Sequence, residues 1–219
     1  MFAGPFDYSI IKRAAEKKFV DIHIVNIRDF GVGKHKVVDD TPYGGGLGMV
    51  MRVDVLHKAI ISVKDKKLKS DEKAVLLSAR GEQFKQEKAI SFATLSHLIL
   101  ICGHYEGVDE RIMKYIDQEI SVGDFVTTGG EIPAMAITDA VTRLLTGVLK
   151  EGVTGHESFS LSSTENSSKL LEYPHYTNPP QYDEQAVPDI LLSGNHKKIM
   201  EWRLTKAKEK TKQVRPDLL

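Results

Sequence analysis

Two short segments of this chain carry residue types that could hold a ligand and move a proton. The first is Ile101-Cys102-Gly103-His104-Tyr105-Glu106-Gly107-Val108-Asp109-Glu110-Arg111. It follows an apolar run and is expected to open a helix. A glycine at 103 lets backbone approach a ligand that a Cβ would keep away. Tyr105 and the charged groups after it would then arrive at one sheet edge, where open α/β sheets bind ligands. The second is Ser121-Val122-Gly123-Asp124-Phe125-Val126-Thr127-Thr128-Gly129-Gly130-Glu131-Ile132-Pro133. Two strand-to-helix corners so close in sequence point to one shared pocket. Glu106, Asp109 and Glu110 could equally ion-pair at a helix start, because structural charge networks use the same residues.

Other chemistries find little support. There is one cysteine, Cys102, which excludes an internal disulfide and a cysteine-based zinc site. It sits in an apolar run and reads as a reduced core residue. The eight histidines are scattered without metal-ligand spacing. No Gly-x-Ser-x-Gly nucleophile turn is present. Gly44-Gly45-Gly46-Leu47-Gly48 is not a dinucleotide fingerprint, since the third glycine would fall at Met51. Gly33-Lys34 is followed by His35, so it is not a phosphate loop.

The elements that must position these residues alternate. A helix is expected over 9–18, a strand over 20–27 and a glycine-rich loop over 31–48. A helix over 53–63 and a charged connection over 64–73 follow. A short buried strand at 74–77 ends in Ser78-Ala79-Arg80-Gly81. A helix over 83–92 and a strand over 98–101 come next. This order argues for an α/β fold with a mainly parallel sheet. Pro133 suits the first turn of a helix whose apolar stripe is Ile137, Val141, Leu144, Leu145 and Val148. Arg143 lies off that stripe. Residues 150–169 read as a long mobile connection containing a domain boundary. Residues 170–188 are irregular and carry four prolines. Asn195 is expected to cap a last amphipathic helix with Ile199, Trp202 and Leu204.

At 219 residues, with 41% hydrophobic and 27% charged residues and zero formal net charge, the composition is globular. No stretch approaches the ~20 apolar residues of a membrane span. No signal peptide is read before the first element. A cytoplasmic location is therefore expected, and Asn166-Ser167-Ser168 is a chance glycosylation match. Charge is uneven: Lys197, Lys198, Arg203, Lys206, Lys208, Lys210, Lys212 and Arg215 face only Glu201 and Glu209 in the last helix. Such a cluster can dock a phosphate backbone, or form a solvated face.

Taken together, five motifs resemble the bacterial tRNA (guanine-N1)-methyltransferases. They are Arg28-Asp29-Phe30; Val38-Asp39-Asp40-x-Pro42-Tyr43-Gly44-Gly45-Gly46-x-Gly48-Met49; Cys102-Gly103-x-Tyr105-Glu106-Gly107-x-Asp109-Glu110-Arg111; Ser121-x-Gly123-Asp124-Phe125-x4-Gly130-Glu131-x-Pro133-Ala134-Met135; and Tyr173-Pro174-His175-Tyr176-Thr177 through Leu192-Ser193-Gly194-Asn195-His196. The likeness runs in order over essentially the whole chain. It implies a SPOUT-type α/β fold: a parallel sheet with a deep trefoil knot, plus a small C-terminal helical domain. It implies a cofactor domain over 1–150, an interdomain segment over 151–169 and a tRNA-binding domain over 170–219. It also implies a homodimer that grips tRNA across both subunits and methylates N1 of guanosine at position 37. S-adenosylmethionine is the implied cofactor, and magnesium is implied in support.

The resemblance also implies the site. Leu77, Ser78, Gly103, Tyr105, Val122, Gly123, Asp124, Phe125, Val126, Thr127, Gly129, Gly130 and Pro133 would hold the cofactor. Glu106 would lie near its sulfonium, and Arg143 would stabilise charge on guanine O6. Asp39 and Asp40 would bind guanosine, and Arg203 and Lys206 would bind tRNA. The family's general base is the Asp of an Asp-Ser-Phe triplet. Here Glu157-Ser158-Phe159 is the nearest triplet, which makes Glu157 the base; a competing alignment puts Asn166 there, with Glu165 beside it. Asparagine cannot accept the proton. Both ends look trimmed relative to the family pattern, at Met1-Phe2-Ala3-Gly4-Pro5-Phe6 and at Leu219. Two other readings stay open: a non-catalytic RNA-binding relative retaining the cofactor pocket, and a knotted methyltransferase with another target nucleotide.

Overall fold

The computed structural model describes residues 1–219 apart from 3, 66, 69, 70 and 163–168. The chain forms two compact units, Met1–Leu149 and Lys150–Leu219. In the first unit the order is α1 (Ser9–Glu16), β1 (Asp39–Asp40), β2 (Val50–Met51), α2 (Val53–Val63), β3 (Glu72–Gln83), α3 (Gln86–Ala93), β4 (His97–Cys102), β5 (Gln118–Ser121) and α4 (Glu131–Thr142). Strands β4, β3 and β5 form a parallel sheet in that order.

The unbroken apolar run at 74–77 follows from this arrangement. Alternate side chains of a strand point to opposite faces. Ala74 and Leu76 pack with Met51, Leu56, Ile60, Ile101 and Ile112 on one face. Val75 and Leu77 pack with Phe92, Ile120, Ala134 and Ile137 on the other. Helix α2 thus covers one side, and α3 and α4 cover the other. A strand buried on both faces needs no polar alternation. Each fully buried Leu or Ile contributes roughly 1.5–3 kcal/mol.

Several sequence expectations are corrected. Residues 20–26 form no strand, and Ile24 and Val25 stay exposed. The apolar pattern is present, but among the described residues no strand lies alongside to complete a ladder. Residues Ile27–Phe30 instead make a 3-10 turn, capped where Asn26 Oδ1 accepts the Arg28 N–H. The strand expected at 74–77 runs on to Gln83, so the helix after it begins only at Gln86. The segment after Cys102 is a loop that ends in a 3-10 helix, Glu110–Lys114. Helix α4 stops at Thr142, so Leu144, Leu145 and Val148 of the expected stripe lie beyond it.

The second unit contains β6 (Leu161–Ser162), β7 (Lys169–Leu170), β8 (Gln181–Tyr182), β9 (Gln185–Ala186), α5 (Asp189–Leu192) and α6 (His196–Val214). The described part of 150–169 is not structureless. It holds a 3-10 turn, Val153–His156, and β6 pairs antiparallel with β7. Asn195 caps α6 by accepting the Lys198 N–H. The buried positions of α6 are Ala207 and Thr211, with Leu204 exposed, which corrects the expected stripe. Small residues let backbone come close: the Thr211 hydroxyl accepts the Leu171 N–H at 2.9 Å and donates to the Ala207 carbonyl at 2.7 Å.

Candidate active site

Parallel strands end at one edge of their sheet, and here three loops leave that edge: 78–81 within β3, 103–109 after β4, and 122–130 after β5. They enclose a cavity of about 280 Å³. Its position matches the crevice outside the carboxyl ends of strands where such sheets bind ligands.

Local sequence dictates each loop. Leu77 and Glu82 both pair with Ile120, so residues 78–81 are looped out of the ladder. Gly81 permits this, because a Cβ there would stand 2.4 Å from the Ile120 nitrogen. The second and third loops are joined to each other. The Gly130 N–H donates to the Gly103 carbonyl at 2.8 Å, and His104 bridges Gly129. Tyr105 takes a left-handed φ of 59°, unusual for a side chain of that size.

Loop 103–109 lies along β2. The Met51 N–H donates to the Gly107 carbonyl at 2.9 Å, and the Asp109 N–H donates back to the Met51 carbonyl at 3.0 Å. Strand β2 pairs with β1, which carries Asp39 and Asp40. Asp40 is exposed and accepts Arg52 Nη1 at 3.2 Å. Arg52 is also held by Asp54, whose carboxyl is kept below its ordinary range chiefly by that hydrogen bond.

The carboxylates of the first motif divide by role. Asp109 takes a two-pronged bond from Arg111, at 2.9 Å from Nε and 2.6 Å from Nη2. That bond holds the Asp109 carboxyl below its usual range. Glu110 pairs with Arg80 at 3.1 Å. These two are accounted for by local ion pairing. Glu106 differs: it is exposed, lines the cavity and packs over Gly48, where a Cβ would meet its Cγ at 2.5 Å. The Cys102 thiol is half-buried, and burial, then the charge of Glu131, push its pKa up to about 12. It is an un-ionised packing group rather than a nucleophile.

Over residues 1–219 the chain matches the model of the tRNA (Guanine-1)-methyltransferase TrmD family. This chain belongs to the TrmD family. Its relatives include a tRNA (guanine-N(1)-)-methyltransferase of Dictyoglomus turgidum, 51% identical over all of this chain and 85% of the relative. Proteins of the same name from Desulforudis audaxviator and Endomicrobium trichonymphae are 50% and 46% identical, with all of this chain covering 85% and 94% of their lengths.

In this TrmD-family chain, most residues expected at the cofactor do line the one cavity. Leu77 and Ser78 come from β3, Gly103 and Tyr105 from the second loop. Val122, Phe125, Val126, Thr127, Gly129, Gly130 and Pro133 come from the third loop and α4. Gly123 and Asp124 do not line it. Gly123 lies behind Phe125, with its N–H donated to Ser121 Oγ at 3.2 Å, and Asp124 is exposed. Arg143 caps the C-terminus of α4, half-buried and outside the lining. Glu157, Arg203 and Lys206 belong to the second unit. There Glu157 is half-buried and follows the turn Val153–His156; Arg203 lies over the Tyr173 ring at 4.9 Å, and Lys206 pairs with Glu209 at 2.7 Å. Glu165 and Asn166 lie outside the described residues.

Sequence reasoning missed Arg80, His104 and Thr128, which also line the cavity. Ser78-Ala79-Arg80-Gly81 is legible as a strand end, and the glycine closing it is the available signal.

Proposed function

We propose that this chain transfers a methyl group from S-adenosylmethionine to N1 of guanosine at position 37 of tRNA. The observation that carries this reading is the family match across residues 1–219. The cavity's chemistry supports it. Apolar walls at Leu77, Val122, Phe125 and Pro133 suit a flat adenine, and backbone groups near Gly103 and Gly130 suit its polar edge. Bound there, the cofactor supplies an electrophilic methyl on a sulfonium. Glu106 at the rim gives that cation a carboxylate.

The chain's own residues then handle the guanine. Glu157 accepts the N1 proton as the N–C bond forms and the methyl–sulfur bond breaks, its electron pair staying on sulfur as a neutral thioether, and Arg143 stabilises charge on O6. Asp39 and Asp40 hold the guanosine. Arg203 and Lys206, on a helix with many exposed lysines, contact tRNA phosphates. The finer parts of the reading rest on the family: a deep trefoil knot in the cofactor domain, a tRNA-binding C-terminal helical domain at 170–219, a homodimer and a cytoplasmic site of action. The exposed Tyr105, Phe125 and Val126 beside the cavity suit burial against a second copy. For magnesium, no group of three or more His, Cys, Asp or Glu among the described residues could form a cage. In this reading substrate phosphates supply much of its shell. Among the described residues, no helix is long and apolar enough to cross a membrane.

The test is transfer of labelled methyl to two tRNA transcripts that differ only at position 37. Guanosine there should be methylated and adenosine should not. Equal transfer to both would sink the assignment.

A further inference from the structure

We propose that His104 and Glu131 form a positioning pair that sets the width of the cofactor cavity. The proposal deepens the reading above and rests on it. His104 belongs to the loop after β4, and Glu131 is the first residue of α4. Their side chains meet across the two corners, with His104 Nε2 2.8 Å from Glu131 Oε1. The sequence motifs give neither residue a role, and position 104 is left unspecified in them.

Three observations make this contact more than a surface ion pair. First, it is partly desolvated: the side chains are 33% and 17% exposed, and Glu131 Oε2 is buried with no hydrogen-bond partner among the described residues. A carboxylate placed that way depends on the one bond it does make. Second, the pair closes around Gly129. A Cβ at 129 would stand 2.5 Å from Glu131 Oε2 and 2.6 Å from His104 Nε2. Third, the contact runs beside the backbone link from Gly130 to Gly103 and the bridge from His104 to Gly129. Gly103, His104, Gly129 and Gly130 all line the cavity. The backbone pairing joins the two corners along one short line, and the His104–Glu131 bond ties their side chains as well. Without the pair that second tie is lost, and the spacing of the cavity walls rests on the backbone pairing alone. Glu131 does not line the cavity, so it acts through the corner and not on the ligand.

The experiment is calorimetric titration of S-adenosylmethionine into the full chain, its His104→Ala and Glu131→Ala variants and the double variant. Each single variant should weaken cofactor affinity by about 10-fold or more. The double variant should be no weaker than the worse single, since both remove one interaction. Glu131→Gln keeps an amide oxygen that can accept from the His104 N–H and should recover most of the affinity. For Glu131→Ala, whose side chain lies outside the lining, turnover at saturating cofactor should stay near that of the parent, so that KM moves and kcat does not. If an alanine variant fails to fold, His104→Phe keeps the ring, removes the donor and carries the same expectation. Cofactor affinities within about twofold of the parent, or effects that add in the double variant, would overturn the proposal. So would a Glu131→Gln chain as weak as Glu131→Ala. A parent chain that binds no S-adenosylmethionine would instead overturn the proposed function.

Discussion

The backbone N–H of Gly130 donates to the carbonyl of Gly103 over 2.8 Å. A Cβ on residue 130 would lie 2.6 Å from Cys102 Cα and 2.9 Å from the Gly103 nitrogen. Both are backbone atoms, so neither can rotate aside. The glycine at 130 is therefore required by the protein's own corner-to-corner contact before any ligand arrives.

Gly130→Val should push the two corners apart. The expected cost in stability is roughly 1–3 kcal/mol, typical of overpacking at a site that cannot relax. Cofactor affinity should fall below detection while the chain stays folded at 25 °C. Urea unfolding and calorimetry measure the two effects separately. Unchanged affinity would mean that the cofactor binds elsewhere.

Asp109 gives a pH signature. The Arg111 hydrogen bonds hold its folded pKa below the ordinary value of 3.8. Its stabilisation is therefore complete above that ordinary value and is lost as pH falls through the folded pKa. Arg111 is well exposed, so solvent screens the pair and its contribution is small. The urea midpoint of Asp109→Asn should trail the parent at pH 7, and the gap should begin to narrow only as pH falls below 3.8 and close once pH passes the lower folded value. A gap that does not change with pH would mean that packing, and not charge, is what the substitution removed.

Helix α6 tests phosphate binding through charge alone. Truncation would also remove Thr211 and strand the Leu171 N–H, so neutralisation is the cleaner change. Lys197, Lys198, Lys210 and Lys212 are exposed. Changing all four to Gln should weaken tRNA binding and leave cofactor binding alone. It should also make log K less steep in log salt, by ~0.9 for each phosphate no longer neutralised. An unaltered salt slope would return the helix to a merely solvated face.

Glu157→Gln retains shape and removes basicity. Single-turnover methyl transfer should slow by ~10²–10⁴-fold, with affinities for cofactor and tRNA unchanged. Glu165→Gln should be mild, and Asn166→Asp should at most raise the rate. A crippled Glu165→Gln chain would move the base to that position.

Much of the chemistry is legible in the chain because it depends on residue type. The two glycine corners, the carboxylate cluster of Glu106, Asp109 and Glu110 and the basic run of the last helix can each be read directly from the sequence. So can the α/β alternation and the Asn195 cap, since periodicity and capping are local properties. Residues 20–26 cannot be read correctly. Their alternation is that of a strand, but strand formation needs a neighbour, and only the three-dimensional arrangement says whether one is there. Asp109 and Glu110 look as ready for catalysis as Glu106, and only the positions of Arg111 and Arg80 assign them to ion pairs. The meeting of His104 with Glu131 is likewise invisible, because it joins side chains from different corners. Sequence determines which groups a chain can offer and where local structure begins. Tertiary packing decides which of them meet, because a hydrogen bond depends on separation in space and carries no signature in separation along the chain.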